Sequence, residues 1–303
     1  MWKTLKRIGL GLLGLIALVV LLVFVISEVR WNSDFLNYDV SVKTIQIPND
    51  EAAVARGEHI ATIHYCGHCH GENLAGDYLL NEPVFAVVAA PNLTSGVGGV
   101  GAGNSDEDWV RAIRHGVGRD GRSLIGMPSR LWHQLGEQDL MDLLAYLKSI
   151  PPVDNEMPQR KIGPLFRVML ALGKAPPSEA PLIDHDAPFT TPPSPGVTLE
   201  YGEYLALGCT GCHGPQLNGG MARDFDGELV VAQNLTPGGA LASWTEAQFI
   251  ETLRTGVTPT GREFNDLMPW QFVGKMTDEE LQAVWLYLQS IPALEQGTER
   301  SDL

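Results

Sequence analysis

Cysteine is scarce in this chain: four residues among 303. All four fall in two short stretches, Cys66-Gly67-His68-Cys69-His70 and Cys209-Thr210-Gly211-Cys212-His213. None is left for a structural disulfide. Basic residues are also few, 21 Lys and Arg against 36 Asp and Glu, for a net charge of −15. Phosphate backbones would be repelled, which excludes nucleic acid as a partner. A basic docking partner remains compatible with that charge.

Charge is missing altogether from Ile8 to Ile26, an apolar run of 19 residues. That is enough for one membrane-spanning helix and longer than the core of an ordinary signal peptide. No Ala-x-Ala cleavage pattern closes it, so an uncleaved signal anchor over residues 1–30 is preferred to a removed leader. Lys3, Lys6 and Arg7 before it belong on the cytoplasmic side. The expectation is a single-pass protein of the bacterial cytoplasmic (inner) membrane, with the rest of the chain on the periplasmic, outer side. Gly9, Gly11 and Gly14 read as plain membrane glycines rather than a helix-packing face.

Each cysteine pair is spaced i, i+3 and is followed at once by histidine. On a helix both sulfurs then share one face with the imidazole stacked beside them. Cys-x-x-Cys-His is the attachment pattern of c-type haem: two thioethers to one porphyrin edge and the histidine beneath the iron. A zinc site built from two Cys-x-x-Cys pairs wants them roughly 15–20 residues apart, but Cys69 and Cys209 are separated by 140 positions. A thioredoxin-like pair would need a βαβ context and would leave the histidines unexplained. Two covalently attached haem c groups are therefore expected, on Cys66, Cys69 and His70 and on Cys209, Cys212 and His213.

The surroundings of the motifs repeat in order. Gly57-Glu58-His59-Ile60 answers Gly202-Glu203-Tyr204-Leu205, and Pro91-Asn92-Leu93-Thr94 answers Gln233-Asn234-Leu235-Thr236. Arg114-His115-Gly116-Val117 answers Arg254-Thr255-Gly256-Val257, Met127-Pro128 answers Met268-Pro269, and Tyr146 to Pro151 answers Tyr287 to Pro292. Collinear self-similarity of this kind means two copies of one domain. The expected layout is the anchor at 1–30, an extended tether at 31–50 and a first domain at 51–151. A Pro-rich linker with one short apolar helix follows at 152–197, then a second domain and a frayed tail at 198–303.

Leu140, Leu143, Leu144 and Leu147, and likewise Leu281, Val284, Trp285 and Leu288, recur at helical spacing. Thr245 to Gln248 and Thr277 to Glu280 read as capping boxes. Val87–Ala90 and Leu229–Ala232 suit a small strand or hairpin. Gly57 and Gly202 cost a helix roughly 1 kcal/mol each against alanine, which a close helix crossing would explain, with Tyr146 and Tyr287 as partners. Gly96 to Gly101 lacks the strand and helix a nucleotide loop needs and reads as a flexible surface loop. The helix near Pro164 to Gly173 could clamp the domains or lie on the membrane; packing against the domains is preferred.

A second axial ligand should sit in register in both copies. Met127 lies 61 residues after Cys66 and Met268 lies 59 after Cys209, each stiffened by a following proline. His64, His68, His115 and His133 compete in the first copy, but the second has no histidine beyond His213. The metal ligands expected are thus His70 with Met127 and His213 with Met268. Arg122 and Arg262 either pair with haem propionates or are simply solvated.

Both copies resemble class I cytochrome c domains, in the Cys-x-x-Cys-His, the late Met-Pro loop and the aromatic C-terminal helix. The succession Asn-Leu-Thr, Gly-Val, Gly-Arg, Met-Pro is similar to cytochrome c subunits of membrane-bound alcohol and gluconate dehydrogenases. Those subunits carry three haem motifs and a C-terminal attachment; this chain has two motifs and an N-terminal one. The resemblance implies an all-α fold of two tandem class I cytochrome c domains after one N-terminal transmembrane helix. It implies transfer of single electrons from a dehydrogenase or quinol-oxidising complex to an oxidase or soluble cytochrome, not catalysis. A dihaem redox enzyme, peroxidase-like or thiosulfate-oxidising, is the alternative, and a fixed subunit of a complex the third reading.

Overall fold

The computed structural model describes residues 2–35, 38–43, 45–172, 178–223, 229–265 and 267–297. Its helices in chain order are α1 (Trp2–Phe35), α2 (Glu51–Ile63), α3 (Cys66–His70), α4 (Asp106–His115), α5 (Ser129–Trp132), α6 (Glu137–Ser149) and α7 (Pro164–Ala171). There follow α8 (Leu199–Ala206), α9 (Thr210–His213), α10 (Glu246–Thr255), α11 (Trp270–Val273) and α12 (Asp278–Ser290). The strands are β1 (Asp77–Glu82), β2 (Ala86–Ala90), β3 (Lys161–Ile162), β4 (Gly220–Arg223) and β5 (Leu229–Ala232). The fold is thus largely helical with two small antiparallel sheets, β1-β2-β3 and β4-β5, at the two short apolar runs.

Each domain rests on a pair of helices that cross at a glycine. A Cβ on Gly57 of α2 would lie 1.9 Å from the Asp142 carbonyl oxygen of α6 and 2.8 Å from Tyr146 Cβ. In α8, a Cβ on Gly202 would lie 2.0 Å from the Ala283 carbonyl and 2.9 Å from Tyr287 Cβ. Backbone therefore meets backbone, which only glycine allows. The leucine stripe of α6 then seals the first core, Leu140 and Leu144 being wholly buried. Leu281 and Leu288 do the same in the second. Each side chain so buried contributes about 1.5–3 kcal/mol. Capping boxes open α4 at Ser105, α10 at Thr245 and α12 at Thr277.

The loop after each small sheet is clamped rather than flexible, which corrects the reading of Gly96 to Gly101. Asn92 folds its own turn, its Oδ1 accepting from Thr94 N at 2.9 Å, while its Nδ2 donates to the Val153 carbonyl at 2.7 Å. A Cβ on Gly96 would sit 2.2 Å from that carbonyl. In the second domain Asn234 Nδ2 donates to the Leu294 carbonyl at 2.7 Å and Gly238 makes the same approach. These glycines let the loop close over the chain leaving α6 or α12. The stretch after Pro292 is held as well: Gln296 accepts from Asn234 N at 3.0 Å and donates to Ala232 O at 2.9 Å.

The regions expected to be tether and linker pack on the first domain. α1 runs past residue 30 to Phe35, which is buried with Leu80, Val88, Ile125 and Phe166. Val40 and Ile45 are buried too. β3 adds a strand to the first sheet, Ala86 pairing with Ile162. α7 packs against α1, so it does not clamp the two domains. Residues 178–190 lie along the first domain as a strap: Arg114 donates to the carbonyls of Ala187 at 2.9 Å and Pro188 at 3.1 Å. Glu179 accepts from Arg130 N at 2.8 Å. Pro176-Pro177 and the tail beyond residue 297 lie outside the described residues.

Candidate haem sites

The two cysteine motifs form single helical turns, α3 and α9, each closed by a glycine at positive φ, Gly71 at 78° and Gly214 at 85°. A second turn follows in both, with Leu74 at φ 56° and Leu217 at φ 57°. Left-handed leucine is strained, and burial of both side chains holds it. That turn folds the chain back so that a carbonyl meets the motif histidine. His70 Nδ1–H donates to the Pro91 carbonyl at 2.9 Å, and His213 Nδ1–H donates to the Gln233 carbonyl at 2.7 Å. A carbonyl can only accept, so the tautomer is fixed and each Nε2 keeps its lone pair for a metal. Burial also lowers both pKa values, which keeps the rings neutral.

In the first domain these residues face a cavity of about 580 Å³ lined by Cys66, Cys69, His70 and Met127 together with Trp109, Leu143 and Arg122. Its walls are mainly apolar, as a porphyrin requires. The indole Nε1 of Trp109 is buried there without a hydrogen-bond partner. An orphaned donor inside a cavity calls for an acceptor that a carboxylated ligand brings. Arg160 also lines the cavity, donating to the Ser123 carbonyl at 2.9 Å. Burial pushes the Cys66 and Cys209 thiols up to about 12. Neither is a thiolate poised for exchange at neutral pH, which tells against redox use as a dithiol. The donor set and its surroundings fit haem.

The methionine loops match between domains in backbone as well as sequence. Pro128 has φ −79° and ψ 57°, Pro269 φ −76° and ψ 49°. Ser129 N donates to the Met127 carbonyl at 2.8 Å, and Trp270 N to the Met268 carbonyl at 2.7 Å. Met127 and Met268 are both partly buried against their cores. The competing histidines divide. His64 lines the cavity, buried, with its pKa lowered to about 4 by desolvation. His115 and His133 form a separate cluster with His185, whose Nδ1 is 3.0 Å from His115 Nδ1. His68 points at Phe272 of the other domain, with ring centroids 6.1 Å apart. Of the two arginines, Arg122 lines the cavity but is half exposed beside Asp120, and Arg262 is exposed near the Phe264 ring.

The two attachment turns lie side by side across a pseudo-symmetric interface. Tyr65, next to Cys66, donates its hydroxyl to the carbonyl of Gly208, next to Cys209, at 3.2 Å. His59 on α2 reaches Glu280 on α12 at 2.8 Å, and Tyr204 on α8 donates to Asp139 on α6 at 2.5 Å. These are the same two repeat positions with the domains exchanged. Likewise Phe272 abuts Gly67, and Leu131, its counterpart, abuts Gly211. Sequence reasoning missed Trp109, Arg160, Tyr65 and this pairing. A signal was present for the last: two matched positions are polar in both copies, one set able to donate and the other acidic.

Residues 52–147 match the family described as cytochrome c oxidase, cbb3-type, subunit III, and residues 200–292 match the family described as cytochrome c. The chain is 26% identical over 265 residues to the fructose dehydrogenase cytochrome subunit of Gluconobacter japonicus, covering 80% of this chain and 53% of that one. It is 27% identical to the cytochrome c subunit of the quinone alcohol dehydrogenase of Gluconacetobacter polyoxogenes, covering 80% and 57%. A diheme cytochrome c-type protein of Cereibacter sphaeroides is 26% identical, covering 80% and 86%. The chain thus spans about half the length of the first two relatives. Together the two family matches occupy more than half of the sequence, and the chain carries two cytochrome c domains on one polypeptide.

Proposed function

We propose that this protein is a membrane-anchored dihaem c-type cytochrome. It passes single electrons from a respiratory dehydrogenase or quinol-oxidising complex toward an oxidase or a soluble cytochrome on the outer side of the inner membrane. The observation that carries this reading is the paired histidine geometry. In each domain a carbonyl accepts the hydrogen bond from Nδ1–H and leaves Nε2 with its lone pair, next to the two cysteines of the motif. Cys66 and Cys69 would hold one haem by thioethers and Cys209 and Cys212 the other. His70 with Met127, and His213 with Met268, would supply the axial ligands.

Haem c bound in this way supplies a one-electron couple, and methionine as sixth ligand raises its potential. The rest is the work of the chain. The Met-Pro turns fix each thioether, Trp109 offers a donor, and Arg122 and Arg160 offer cationic partners for acidic groups at the first site. Arg262 is the matching candidate at the second. The interface supports exchange between domains, because Tyr65 and Gly208 place the two attachment turns in hydrogen-bond contact. The names of the relatives support a dehydrogenase as the donor.

Carbon monoxide tests this reading. With both axial positions filled by His and Met, the reduced protein should show no carbon monoxide difference spectrum at either haem. Ready binding at one of them would favour a redox enzyme with an open iron.

A further inference from the structure

The helix α7 carries features that electron transfer does not use. Its inner face is spent on packing: Phe166 is buried against the Phe85 ring, with centroids 5.2 Å apart. Its outer face is not. Leu165 is 61% exposed and Leu172 is 63% exposed, and seven residues apart they share one side of the helix. Val84, at the tip of the β1–β2 hairpin, is 94% exposed. Gly163 joins the two features, donating its N–H to the Phe85 carbonyl at 2.9 Å.

The position of this patch says what covers it. The apolar stretch of α1 runs from Lys6 to Val29, 24 residues, and rises about 36 Å, enough to cross a hydrocarbon core of about 30 Å. Its outer boundary therefore falls near Glu28 and Trp31. α7 is fastened at that level: Arg167 pairs with Glu28 at 2.6 Å, and its guanidinium lies 4.9 Å from the Trp31 ring centre. Charge agrees. From Met157 to Leu172 the chain has no acidic residue; Arg160 faces the cavity and Arg167 pairs with Glu28, which leaves Lys161 exposed for a headgroup, in a protein of net charge −15. A basic residue near exposed leucines at a membrane boundary suits anionic headgroups.

We propose that α7 and the β1–β2 tip form a foot seated in the headgroup layer of an anionic membrane, beside the point where α1 leaves it. The foot rests on the reading of α1 as an anchor. It fixes the first domain against the bilayer and, because Ile125 and Val88 line the first cavity and also pack on Phe166 and Phe35, it holds that cavity near the membrane.

The full-length holoprotein in nanodiscs of phosphatidylethanolamine and phosphatidylglycerol tests this. Benzoylphenylalanine replaces Leu165, Val84, Leu18 or Val257, one at a time, and photoadducts are identified by mass spectrometry. Leu18 lies within the span and Val257 is exposed on the second domain. Lipid adducts at positions 165 and 84, comparable with those at 18 and absent at 257, are the expected result. Lipid at 18 but only water quenching or a protein adduct at 165 and 84 overturns the foot while leaving the anchor standing. No lipid even at 18 overturns both.

Discussion

Met127 and Met268 stand before prolines held in nearly the same backbone conformation, and that conformation sets where each sulfur is carried. Replacing either by leucine keeps volume and apolarity, so the fold should survive at a cost below about 1.5 kcal/mol. The long-wavelength band of sulfur-ligated ferric haem should fall by half in each variant and vanish in the double variant. A band unchanged in Met127→Leu would remove that residue from the iron. Gly57 is the opposite case, since any side chain there collides with backbone. Gly57→Ala should destabilise the first domain by about 3 kcal/mol, at the upper end for overpacking, read from its denaturation midpoint.

His59 gives a pH-dependent prediction. Its hydrogen bond to Glu280 raises its pKa, although burial opposes the rise. Burial would lift the Glu280 pKa, but the bonds from His59 and Thr277 hold it below the ordinary value. A raised histidine pKa stabilises the folded state below its unfolded value and loses that contribution as pH climbs through the folded one. His59→Gln should therefore lower Tm more at about pH 6 than at about pH 9. A pH-independent difference would mean that the pair carries no charge-dependent stabilisation.

At the scale of elements, Glu280 serves two structures at once. It completes the capping box of α12, accepting from Thr277 N at 2.7 Å, and it is the anion facing His59. Thr277→Ala should cost about 1 kcal/mol as a lost cap. It should also loosen the domain interface, read as faster amide exchange in α2 as well as α12. Exchange altered in α12 alone would separate the two roles.

The helices themselves were legible in the sequence because their signals are local: leucines at 3, 4 and 7, Thr-x-x-Gln/Glu boxes, and glycines that a helix tolerates only for a reason. The motif turns and the methionine loops were legible because they repeat. What local reading cannot supply is a partner distant in the chain. Gly96 to Gly101 looked flexible because the carbonyl it encloses belongs to Val153. Residues 152–197 looked like a spacer because proline and polar composition do not show that Arg114 is waiting for the carbonyls of Ala187 and Pro188. Trp109 and Arg160 were invisible for the same reason, each being defined by a cavity assembled from several segments.

At the scale of the whole molecule, one domain architecture is used twice and turned to face itself. The two motif turns end up at the shared boundary, and the C-terminal end of α1 packs through Phe35 against the first sheet and α7. On the proposed function, electrons exchanged between the domains would cross the contact around Tyr65 and Gly208. Exchange between the domains requires haem covalently present in both halves. Intact-mass spectrometry of the protein purified from native membranes measures this directly. The result expected is the polypeptide mass plus two haems, falling to one when Cys66 and Cys69 are both replaced by alanine and to one when Cys209 and Cys212 are. A native mass carrying a single haem, or none, would contradict it.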